Sequence, residues 1–82
     1  MSKLRILSGK DIFKFLQKKG FEVEYGKGSH CKLIKLIEGE KESITIPLHK
    51  EIAKGTLRAI YSQASRFVSQ DELKNTFIQS NL

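Results

Sequence analysis

Phe21-Glu22-Val23-Glu24-Tyr25-Gly26-Lys27-Gly28-Ser29-His30-Cys31-Lys32-Leu33-Ile34-Lys35-Leu36-Ile37 is the stretch from which the fold can be read. Its first five residues alternate apolar and charged, the period of a half-buried strand over 21–25. Gly26-Lys27-Gly28 reads as a turn. A second strand follows over 30–37, with Leu33, Ile34, Leu36 and Ile37 leaving its phase ambiguous between the two faces. The polar run Glu38 to Glu42, with Gly39, reads as a hairpin loop. Ser43 to Leu48 alternates again, with Ile44, Ile46 and Leu48 on one face, so a third strand is expected over 43–48. Pro47 has no N–H for a ladder and belongs near a strand end or on an edge.

Helices flank these strands. Ser8-Gly9-Lys10-Asp11 has the form of a capping box, and Ile12, Phe13 and Leu16 follow as an apolar stripe. A helix over about 8–19 is expected, with Gly20 placed to stop it. Beyond the strands, Leu57, Ile60, Tyr61 and Ala64 fall at i, i+3, i+4 and i+7, which predicts a helix over about 54–65. Ser69-Gln70-Asp71-Glu72 is a further capping box, opening a short helix over about 70–79 that carries Leu73, Phe77 and Ile78. Strands joined by tight turns pair antiparallel and leave the helices on one face. The expected class is α+β, α-β-β-β-α with a three-stranded antiparallel sheet and a short extra C-terminal helix. Double-stranded RNA-binding domains share this element order, which by itself fixes no function.

With 82 residues the chain is read as one domain, residues 1–82, with a small core. No apolar run approaches the ~18 residues of a membrane span. Lys3 and Arg5 stand at the N-terminus without the apolar stretch of a secretory signal. One cysteine makes neither an internal disulfide nor a zinc cluster. A cytoplasmic protein with neither metal nor cofactor is expected. The net charge of +6 is uneven, with six basic residues against one acid in residues 1–20. Such a surplus points to a polyanion, most simply nucleic acid, with a solvated lysine-rich surface as the alternative. Lys10, Lys14 and Lys18 share one helix face, which reads either as a phosphate track or as a solvated face.

Candidates for proton transfer are few. His30 and His49 are the only histidines, and histidine is the side chain that ordinarily titrates near neutral pH. His30 follows glycines that let a backbone approach a ligand, and exposed turn amides can receive a phosphate. Ser29 adds a hydroxyl, while Lys27 and Lys32 flank the site with positive charge. RNA cleavage needs a group to take the 2′-hydroxyl proton, a donor for the leaving oxygen, and cations for the charge on phosphorus. Spacing alone leaves open that His30 is a surface residue opening a strand. His49 is read as a possible second acid–base group or as a polar residue ordering the connection into the next helix. Cys31 reads as a small buried hydrophobe rather than a nucleophile.

Four fragments, Gly20-Phe21, Gly28-Ser29-His30, Ile46-Pro47-Leu48-His49 and Gly55-Thr56-Leu57-Arg58, stand in an order and spacing that resemble the HicA-type, or YcfA-like, toxin family. The resemblance covers roughly residues 8 to 78. It implies a fold similar to a double-stranded RNA-binding domain and cleavage of mRNA without metal, dependent on the histidine of the Gly-Ser-His run, here His30. On that reading Lys27, Gly28, Ser29, Lys32, Lys10 and Lys14 contact the RNA. It also implies a HicB-type antitoxin that covers the active site. Two departures stand out: Cys31 replaces a second polar or histidine residue, and Tyr25-Gly26-Lys27 occupies the place of an arginine. Without the resemblance, a non-catalytic RNA-binding module with a basic helix face, or a domain docking on an acidic protein, accounts for the same charge.

Overall fold

The computed structural model describes residues 3–79, and within them not the side chains of Lys3, Lys27 and Gln79. The elements run β1 (Lys3–Leu4), α1 (Gly9–Lys18), β2 (Glu22–Lys27), β3 (His30–Ile37), β4 (Glu40–Pro47), α2 (Lys54–Ala64), α3 (Gln70–Phe77) and β5 (Ile78–Gln79). Strands β2, β3 and β4 form a three-stranded antiparallel sheet in that spatial order. Cys31, Leu33, Ile44 and Ile46 are buried on its inner face, in one core with Ile12 and Leu16 of α1, Leu57 and Ile60 of α2, and Leu73 and Phe77 of α3. The helices therefore lie on one side, as the apolar stripes require, and the α+β order of a double-stranded RNA-binding domain is present. His30, Lys32 and Thr45 alternate with those core positions and fall on the opposite, open face.

The capping box at α1 is fully formed. The Ser8 hydroxyl accepts from the Asp11 N–H at 3.1 Å, and the Asp11 carboxylate accepts from the Ser8 N–H at 3.0 Å. The Ser8 N–H first, and then the nearby Ser8 hydroxyl, hold the Asp11 carboxyl below the ordinary aspartate range. A carboxyl so depressed stabilises the fold at neutral pH, and that contribution is lost as pH falls from the ordinary aspartate range through the lower folded-state value. Ser8→Ala is expected to cost about 1 kcal/mol at pH 7 in urea melts. Asp11→Asn is expected to weaken the loss of stability between neutral and acid pH relative to wild type. Unchanged acid sensitivity in that variant would remove Asp11 from the effect.

Several boundaries differ from the sequence expectation. β2 spans 22–27 rather than 21–25, because the Gly28-Ser29 turn, with Gly28 at φ 60°, reverses the chain later than a Gly26-Lys27-Gly28 turn would. Its alternation is broken by a bulge at Glu24: Val23 pairs with Leu33 and Tyr25 with Lys32. β4 begins at Glu40 rather than Ser43, since the expected loop shrinks to a two-residue turn, Glu38-Gly39, at φ 52° and 82°. Positive φ at both positions matches the right-handed twist of a hairpin, so the ladder runs down to the Ile37–Glu40 pair. α3 ends at Phe77 rather than 79, because Ile78 turns extended and, with Gln79, pairs antiparallel to Leu4 and Lys3. Neither of these short strands is long enough to show a period in sequence.

Candidate functional site

His30 opens β3, opposite Lys27 on β2 and Pro47 on β4, and its side chain is exposed at that end of the sheet. The ladder register carries the consequence. The chain leaving β4 at Pro47 passes directly beside His30, and two residues on it presents His49. The imidazole rings of His30 and His49 lie 6.4 Å apart, centroid to centroid, inclined at 65°. Two histidines distant in sequence thus face one small region of surface.

Backbone bonds hold this segment at both ends. The Leu48 N–H donates to the Ser29 carbonyl, tying it to the β2–β3 turn. The His49 carbonyl accepts from the Gly9 N–H at 2.9 Å, tying it to the first turn of α1. That second contact requires glycine: a Cβ on residue 9 would lie 2.1 Å from the Pro47 carbonyl oxygen and 2.7 Å from the Leu48 Cα. The capping box sets where α1 starts, and Gly9 lets that start press against the strand end. Between them lies a cleft of about 440 Å³ lined by Ser8, Lys10, Phe13, Leu48, His49 and Lys50.

The lysines singled out from the sequence separate into groups. Lys10 lines the cleft beside His49, while Lys14 and Lys18 stand exposed further along α1. Lys32 shares the open sheet face with His30, but it is engaged: its ammonium lies 3.3 Å from the Glu24 carboxylate and 5.9 Å from the centre of the Tyr25 ring. Lys41 also pairs with Glu24, and the two ammonium groups, Lys41 first, hold that carboxyl below its ordinary range. The Lys27 backbone pairs with His30, and its side chain lies outside the described residues. Gly28 and Ser29 form the turn leading into His30, both exposed. Cys31, next to His30 in sequence, points the other way and is buried in the core, as a small hydrophobe should be.

Gly9, Phe13 and Lys50 entered the site only with the structure. In the sequence Gly9 reads solely as part of a cap, and Phe13 solely as part of a core stripe. Among the described residues no group of three or more His, Cys, Asp or Glu gathers to hold a metal ion. No described helix is long and apolar enough to cross a membrane.

A family model described as the HicA toxin of bacterial toxin–antitoxin systems matches residues 9–65, well over half of the chain. The chain belongs to the HicA toxin family. The match runs from the glycine at the start of α1 through the end of α2, so it takes in His30, His49 and most of the cleft. As a HicA-family protein the chain is the toxin of a toxin–antitoxin pair, and an antitoxin is its partner. Searches of curated proteins and of solved structures returned no match.

Proposed function

We propose that this HicA-family toxin is a metal-independent endoribonuclease that cleaves mRNA in the cytoplasm, with His30 as the catalytic residue. The observation that carries the reading is the position of His30: exposed at the sheet end, preceded by the Gly28-Ser29 turn, and facing His49, which lines a cleft together with Lys10 and Lys50. On this reading the imidazole takes the proton of a ribose 2′-hydroxyl, whose oxygen attacks the adjacent phosphorus. Lys27, Lys10 and Lys14 supply positive charge along the RNA, Lys32 adds to it by exchanging Glu24 for a phosphate, and the Gly28-Ser29 turn gives the phosphate a close backbone approach. The net charge of +6 favours encounter with a polyanion. The antitoxin, of the HicB type, acts by covering His30 and the cleft.

Purified protein is expected to cut a transcript in the presence of a chelator, leaving 5′-hydroxyl and 2′,3′-cyclic phosphate ends. Added antitoxin is expected to stop the reaction. An intact transcript under all conditions would sink the enzyme reading. The exposed row Lys10, Lys14 and Lys18 on α1 favours a second reading, a non-catalytic RNA-binding module. That protein would retard the transcript on a gel in a salt-sensitive way without shortening it.

A further inference from the structure

We propose that His49 is the general acid of the cleavage, donating a proton to the leaving 5′ oxygen; the proposal rests on the assignment of His30 as base. The displacement at phosphorus is in line, so the attacking 2′ oxygen and the leaving 5′ oxygen lie on opposite sides of the phosphorus. A single imidazole beside one of them is badly placed to serve the other. Two imidazoles with centroids 6.4 Å apart, inclined at 65°, place one ring near each side of a phosphodiester bound at this end of the sheet, so that each can serve one oxygen within the ~3 Å reach of a proton-transferring hydrogen bond.

The segment that bears His49 is held without its side chain. The Leu48 N–H and the His49 carbonyl make the tethering bonds. None of the side-chain hydrogen bonds among the described residues involves the His49 ring. The backbone bonds thus tether this connection, and the imidazole is exposed beside the His30 ring. It also forms one wall of the cleft that holds Lys10 and Lys50. A nucleotide on the leaving side, lying in that cleft, brings its 5′ oxygen against His49 and its phosphates against two cations.

The step balances without any co-reactant. The 2′-hydroxyl proton passes to His30, the O2′–P bond forms, and the P–O5′ bond breaks. The proton of the His49 imidazolium passes to the 5′ oxygen. The products are a 2′,3′-cyclic phosphate and a 5′-hydroxyl, and solvent returns both rings to their starting protonation states.

A leaving atom that needs no proton separates this role from a structural one. The full chain is compared with His30→Ala, His49→Ala and His49→Gln on a short RNA with an ordinary linkage, and on the same RNA with sulfur as the bridging 5′ atom. Circular dichroism melts establish that each variant is folded. On the oxygen substrate both His49 variants are expected to be slower by about 10²- to 10⁴-fold. On the sulfur substrate they are expected to approach wild type, because a thiolate leaves unprotonated, while His30→Ala stays slow on both. Wild-type rates in His49→Ala on the oxygen substrate, or equal slowing on both substrates, would overturn the role of His49 and leave His30 standing. A His30→Ala variant as fast as wild type would overturn the parent assignment itself.

Discussion

Replacing His30 by alanine is expected to yield a folded protein that no longer arrests bacterial growth. The side chain is exposed and lies outside the apolar core, so its removal leaves that packing intact. Surface changes of this kind stay within about 0.5 kcal/mol of wild-type stability. Activity should respond far more strongly. Loss of a positioned acid–base group typically costs 10²- to 10⁴-fold, about 2.7 to 5.4 kcal/mol of transition-state stabilisation. Growth after induction reads the effect in cells, and the rate of transcript cleavage reads it in vitro. A folded variant that still arrests growth as wild type does, or a wild type that never does, would remove His30 from the mechanism. The neighbouring Cys31 provides the contrast. It is buried in the core, so a change there acts on stability before it acts on chemistry.

Much of the architecture could be read from local pattern. Ser8 and Asp11, three residues apart, announce the start of α1, because the two capping bonds depend on that spacing alone. The stripe Leu57, Ile60 and Ala64 identifies α2, because a helix buries one face. β3 was expected over 30–37 and occupies those residues, bounded by a two-residue turn on either side. The failures lie where structure is not local. Strict alternation in Phe21 to Tyr25 hides the bulge at Glu24, which appears only when β2 is laid against β3. That bulge residue also captures Lys32 and Lys41, so the sequence could not show that Lys32 comes already paired.

The candidate site divides in the same way. His30 was singled out because a glycine turn and a histidine opening a strand sit together in sequence, and the four ordered fragments pointed to the family to which the chain belongs. That His49 comes to face His30 is a matter of register. It follows from the pairing of His30 with Pro47, and shifting that ladder by one residue would turn His30 to the other face of the sheet. The cleft depends on yet another relation, the contact of α1 with the strand end, which no spacing in the sequence expresses.

That contact gives the largest effect expected on the fold. Gly9→Ala introduces a methyl group where the Pro47 carbonyl oxygen would be 2.1 Å away, with the Leu48 Cα and the Pro47 carbonyl carbon next nearest. All three are backbone atoms, so no side chain can swing aside. Either α1 must withdraw or the strand end must bend, and both routes break the Gly9 N–H bond to the His49 carbonyl. Overpacking of this kind costs about 1–3 kcal/mol, and the lost backbone bond adds about 1 kcal/mol more. For a domain of this size each kcal/mol lowers Tm by roughly 4–8 °C. Gly55→Ala is the matched control, since it also lies in the first turn of a helix but nothing stands within 4 Å of its added Cβ. There the greater helix propensity of alanine should leave Tm unchanged or slightly raised. Thermal melts of the two variants decide the matter, and equal Tm values would show that α1 can move off the strand end at little cost. If the contact also seats His49, cleavage by Gly9→Ala should fall even at temperatures where the variant is fully folded, because the imidazole moves with the backbone that α1 no longer holds.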